Sequence, residues 1–112
     1  DVLDGAAVVR DGLRVAGIGG IVGDPRKPWR KSPREFTRMA RAILRERPDV
    51  LLLHGPPEVD GRRGSADVRH ALDRSGPVLV ACGHAHWSEP LADVRGGAQA
   101  LNVDARVVIL GR

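Results

Sequence analysis

The segment DVLLLH, residues 49–54, is the tightest constraint on the fold. It is a continuous apolar run, too short for a helix, with Pro48 immediately before it. Such a run reads as a strand buried on both faces, as in a parallel sheet. Parallel strands need crossover connections, and helical patterns flank this one. Upstream, Ser32 is a good N-cap, Pro33 fits the first helical position, and Glu35 completes a capping box. Phe36, Met39, Ala40, Ile43 and Leu44 recur at three- and four-residue spacing and form one apolar face. Arg34, Arg38, Arg41 and Arg45 repeat on the opposite face, and Pro48 ends the pattern. Downstream, Ser65 caps a shorter helix over about 66–74, and PVLVAC at 77–82 reads as a second buried strand.

The remaining segments complete an α/β pattern. AAVV (6–9) and LRVAGI (13–18) read as a hairpin turning at Asp11-Gly12. Residues 24–32 and 55–64 read as loops, and 83–97 as mostly loop. AQALNV (98–103) and RVVIL (106–110) read as a closing hairpin around Asp104-Ala105. The expected fold is a mixed sheet with flanking helices, its two interior strands parallel and joined by a crossover helix. A chain of 112 residues supports one core, so residues 1–112 are expected to form a single domain. With 42% hydrophobic and 29% charged residues the composition is globular, not disordered. No apolar run approaches the ~20 residues of a membrane span. Cys82 is the single cysteine, which excludes an internal disulfide; with no recognisable signal peptide, this predicts a cytoplasmic protein.

The net charge of +4 is unevenly spread. Residues 24–47 carry nine Lys and Arg against three acids, a net +6, leaving −2 elsewhere. This basic stretch reads first as a solvated face and second as an anion or nucleic-acid patch. Trp29, Trp87 and Phe36 are the only aromatics, too few for the stacking platforms of single-strand binders.

Three of the four histidines sit where chemistry gathers in open α/β sheets, at the carboxyl ends of strands. His54 ends VLLLH, and His84 and His86 follow VLVAC. If the two strands are neighbours, all three converge on one sheet edge. Alternate residues of extended chain point the same way, so His84 and His86 can serve one metal or two neighbouring metals. Imidazole suits Zn, Mn, Fe, Ni and Cu. An isolated H-x-H is a weak signal; a third histidine at a parallel strand end strengthens it. His70 reads as an exposed helical residue and Cys82 as a small core residue. The glycines at 17, 19, 20 and 23 mimic a dinucleotide fingerprint, but they lead into Asp24-Pro25 and not straight into a helix.

LLLHGPP, the following helix, VLVACGHAHW and the closing ALNVDARVVIL together resemble the C-terminal half of the calcineurin-like metallophosphoesterases. The likeness runs from about residue 12 to the end and is sharpest at Gly83-His84-Ala85-His86. It implies half of a four-layer αββα sandwich and a two-metal centre of Mn, Zn, Fe or Ni. It also implies hydrolysis of phosphomonoesters or phosphodiesters by a metal-bound hydroxide. By this resemblance His54 and His84 are ligands of one metal and His86 of the other. The family acts on nucleotides, phosphoproteins, phospholipids and small diesters. Its Asp-x-His, Gly-Asp-x-x-Asp and Gly-Asn-His motifs do not occur in these 112 residues. Gly23-Asp24 runs into Pro25-Arg26-Lys27, and the only Asn is Asn102. With the start at Asp1 instead of Met, this leads us to expect an N-terminal half elsewhere, no turnover by these residues alone, and self-association through an uncovered sheet face. The alternative is a non-catalytic module that binds an anionic partner through the 24–47 face.

Overall fold

The computed structural model describes residues 4–22, 26–28, 30–59, 61–83 and 86–103. Its centre is a mixed six-stranded sheet in the order β1-β2-β5-β6-β8-β7. Strand β1 (Ala6–Arg10) turns into β2 (Leu13–Ile18) through Asp11 and Gly12, at φ 51° and 78°. Positive φ at both central residues is what a two-residue hairpin turn needs, and Asp-Gly supplies it cheaply. Helix α1 (Pro33–Leu44) then carries the chain to β5 (Val50–Leu53), parallel to β2. Helix α2 (Ala66–Leu72) carries it on to β6 (Leu79–Cys82), parallel to β5. Strand β8 (Gln99–Asn102) lies parallel to β6, and β7 (Leu91–Asp93) closes the edge antiparallel to β8.

Both helices begin as the sequence predicts. Ser32 accepts from the Glu35 N–H at 3.2 Å and Ser65 from the Val68 N–H at 3.3 Å. Helix α1 stops at Leu44, one turn short of Pro48. The Glu46 and Arg47 amides bond to Ile43 and Leu44 carbonyls, and Arg47 turns left-handed at φ 52°. The strand order explains why the helices touch each other. Steps from β2 to β5 to β6 run in one direction, so crossovers of one hand place both helices on one face. Phe36, Ala40, Ile43 and Leu44 of α1 and Val68, Ala71 and Leu72 of α2 are buried there. Beneath them Ala16, Leu51, Val80 and Ala100 lie in register across four parallel strands, each at most 1% exposed. Each large side chain so buried contributes about 1.5–3 kcal/mol.

Three expectations are corrected. Strand β5 is covered on one face only: Leu51 and Leu53 are buried, but Leu52 between them is 43% exposed. Val8, Val15, Val50 and Leu79 form an apolar row on that second face, with Leu52 and Leu91 beside it. Residues 98–103 do not supply the free edge that a closing hairpin with 106–110 needs, because β6 and β7 occupy both edges of β8. Residues 106–110 themselves lie outside the described residues. The stretches read as loop contain strand β7 and strand β4 (Arg30–Lys31), which pairs in parallel with β3 (Ile21–Val22) in the glycine-rich stretch before it. No helix among the described residues is long and apolar enough to cross a membrane.

Candidate metal centre

The parallel register brings His54 beside the strand end after which the other two predicted histidines follow in sequence. Leu53 pairs with Cys82, so His54 and Gly83 are the first residues beyond two adjacent strands. They are joined directly: the Gly83 N–H donates to the His54 carbonyl at 3.0 Å. A Cβ on Gly83 would stand 3.7 Å from that oxygen, an ordinary contact. Gly83, the residue before the H-x-H segment, therefore lies alongside His54. His54 and His86 are both exposed. His84 lies outside the described residues.

Each flanking loop is fixed by identifiable contacts. After His54 the chain descends through buried Pro56 and Pro57 and returns at Ser65. The Ser65 N–H donates to Pro56 and the Glu58 N–H to Ser65, at 2.9 and 3.0 Å. Gly64 sits so close to the Pro57 carbonyl that any side chain there would collide with it. After His86, Trp87 is 3% exposed and donates its indole N–H to the Arg63 carbonyl at 2.9 Å. The Arg62 guanidinium lies over its ring at 5.6 Å and reaches Glu89 at 3.4 Å. Trp87 thus ties the loop that carries His86 to the loop that follows His54. Sequence reading counted Trp87 only as a scarce aromatic; its position directly after H-x-H in a polar stretch was the available signal.

Asn102 is a second residue the sequence reading passed over. It ends β8 in register with Cys82, Leu53 and Ile18, and is fully buried. Its backbone N–H donates to Pro90 at 2.7 Å, and the next amide, Val103, donates to Cys82 at 2.8 Å. A buried amide side chain at the carboxyl end of a parallel strand, one strand beyond the histidines, is a polar group kept in an apolar layer.

Other candidates fall away from the edge or prove structural. Cys82 is buried, its thiol donating to the Leu101 carbonyl at 3.6 Å, and burial pushes its pKa up to about 12. A neutral core thiol is a poor ligand at neutral pH. His70 is exposed on α2 with the Arg69 guanidinium 3.2 Å from its ring nitrogen. The glycine-rich stretch leads into β3 and not into a helix, so its amides make no helix-terminal phosphate cradle. Asp4 is a carboxylate near the end of β2, and it is engaged. It accepts from the Gly19 N–H at 3.0 Å and pairs with Lys31 at 3.1 Å. Burial alone would raise its pKa; the Gly19 amide and Lys31 outweigh that and hold it below the ordinary value of 3.8.

Imidazoles are neutral ligands. Three of them match the donor set of a single divalent cation with an open position. They do not match a two-metal centre, which needs carboxylate to offset the charge. Among the described residues no three His, Cys, Asp or Glu side chains group closely enough to hold a metal ion. No family model matches this chain, and no curated protein or solved structure matches it either.

Proposed function

We propose that this chain supplies the C-terminal histidine ligands of a metal-dependent phosphoester hydrolase. The observation that carries the reading is the parallel β5–β6 pair, in which the Gly83–His54 hydrogen bond joins His54 to the residue that precedes the H-x-H segment in sequence. The one-sided helix layer and the apolar second face of the sheet also favour half of a four-layer sandwich. In this reading His54, His84 and His86 would hold a divalent cation, whose chemistry there would be to lower the pKa of water and polarise a phosphoryl oxygen. Trp87 ties the loop that carries His86 to the loop that follows His54. Asn102 keeps a polar group at the buried floor of the same edge. The substrate is a phosphomonoester or phosphodiester. The Asp-x-His, Gly-Asp-x-x-Asp and Gly-Asn-His motifs of the family are not in these residues, so in this reading catalysis takes those groups from another polypeptide segment.

The test is Co²⁺ or Zn²⁺ titration of the chain and of His54→Ala, His84→Ala and His86→Ala. Each substitution is expected to weaken binding at least tenfold. Metal affinity indifferent to all three would refute the ligand assignment. Mn²⁺-dependent turnover of an aryl phosphodiester by these 112 residues alone, lost in His54→Ala, would refute the incompleteness of the site.

A further inference from the structure

Among the described residues several cationic side chains have polar partners within the protein. Lys31 pairs with Asp4, Arg62 with Glu89, and Arg69 with Glu58 and Asp73. Arg14 donates to the Glu46 carbonyl at 2.8 Å. In contrast Arg34, Arg38, Arg41, Arg45, Arg47 and Arg74 are all exposed and none pairs with a carboxylate among the described residues. These six line two clefts on the outer surface of the helix layer. The larger, about 820 Å³, lies between the C-terminal ends of α1 and α2 and is lined by Arg41, Arg45, Arg47, His70 and Arg74. The smaller, about 490 Å³, runs along α1 past Arg34, Arg38, Arg41 and Arg45. Arg41 and Arg45 belong to both, so the clefts form one cationic groove. Among the described residues only Asp67 and Asp73 bring negative charge to its lining, and Asp73 is already 3.9 Å from Arg69.

Along α1 the arginines stand three or four residues apart, where like charges repel and weaken the helix. A row of about 16 Å results, at roughly 1.5 Å per residue. Repulsion left uncompensated within the protein is relieved by an anion of matching length. Guanidinium groups pair with phosphate through two parallel hydrogen bonds. The apolar side of α1 is buried against the sheet, so this helix has no face to insert into a bilayer. Among the described residues no Trp, Tyr or Phe lines the groove, so single strands are offered no broad stacking platform. The donors are almost all charged forks, suited to phosphates more than to 2′-hydroxyls.

We propose that the groove between α1 and α2 docks the phosphate backbone of double-stranded DNA, without reading its sequence. The site is on the helix layer, apart from the strand-end histidines, and needs no metal. Four to six arginine–phosphate contacts give a salt slope of about −4 to −5 in log K against log salt, several-hundred-fold between about 50 and 200 mM.

The experiment is fluorescence anisotropy with a labelled duplex of arbitrary sequence, in EDTA, on the whole chain. Arg41→Glu/Arg45→Glu is expected to weaken binding at least tenfold, while the control Arg10→Glu/Lys27→Glu, with the same change of net charge, weakens it less than threefold. Thermal melting verifies that both variants fold; the groove variant melts no lower than the parent, because the repulsion is relieved. Equal losses in both variants, or a slope shallower than about −2, would overturn the proposal. Tighter binding of duplex RNA, single strands or phosphatidylserine vesicles than of duplex DNA would also overturn it. Because EDTA is present throughout, failure of the metal reading leaves this outcome unaffected.

Discussion

Trp87→Ala removes the anchor between the two loops at the strand ends. The indole is 3% exposed, so nearly its whole surface leaves water on folding. Truncating a buried Trp costs about 3–5 kcal/mol through lost transfer energy and the cavity left behind. It also orphans the Arg63 carbonyl, which accepts the indole N–H at 2.9 Å. Trp87→Phe separates the contributions in part, since it keeps six of the nine ring atoms and loses the donor with the rest. Its cost should be about 1–3 kcal/mol, one hydrogen bond plus a smaller cavity than alanine leaves. A domain of this size has roughly 5–15 kcal/mol of stability, so Trp87→Ala should remain folded at low denaturant. Urea unfolding followed by far-UV circular dichroism gives both numbers from midpoints and slopes. The same proteins titrated with Co²⁺ report whether the anchor positions His86: loss of a supporting contact typically lowers metal affinity about 10–100-fold. Equal destabilisation by Phe and Ala, or a loss below about 1 kcal/mol for Ala, would refute the view that Trp87 packs as an anchor. Unchanged Co²⁺ affinity in a folded Trp87→Ala would refute its positioning role.

The two leucines of β5 give an opposite pair of outcomes. Leu51→Ala, at 1% exposure, should cost about 2–5 kcal/mol, while Leu52→Ala, at 43%, should cost under about 1 kcal/mol. Leu52→Lys should leave the unfolding midpoint nearly unchanged and lower the average mass in sedimentation, as the uncovered apolar face becomes less adhesive. Asp4 has a folded pKa below its unfolded value of 3.8, so its contribution is present above that pH and fades as pH falls through the folded value. Urea midpoints between pH 5 and 2.5 should therefore fall less steeply in Asp4→Asn than in the parent. Cys82 has a folded pKa raised from 9.0 to about 12, so its contribution is intact below 9 and fades as pH climbs toward 12. Its reaction with a thiol reagent at pH 8 should be slow and rise only with global unfolding; fast labelling of the native protein would contradict its burial.

Elements that carry their own local chemistry were legible in the sequence. Ser32-Pro33 with Glu35, and Asp11-Gly12, specify a helix start and a turn from neighbouring atoms alone, and both occur where expected. Strand β7 was not legible, because Leu91–Asp93 is three residues long and its one buried side chain is an alanine. It exists because the edge of β8 accepts it. The same fact explains why 98–103 paired to 106–110 was the wrong partnership: adjacency in sequence favours a hairpin, but both edges of β8 were taken.

The site divides along the same line. His54 and Gly83 could be placed together from sequence, because strand ends follow from where apolar runs stop. Trp87 and Asn102 could not, because their roles depend on residues 24 and 20 positions away, Arg63 and Cys82. Strand β5 carries the larger lesson. An apolar run establishes that a strand tolerates cover on both faces; whether both faces are covered depends on how many layers the chain provides. Two helices, joined by crossovers stepping in one direction, can cover only one face. Leu52 is therefore exposed for a topological reason. The apolar face it shares with Val8 and Leu79 follows from the strand order β1-β2-β5-β6 as directly as the buried row beneath the helices does.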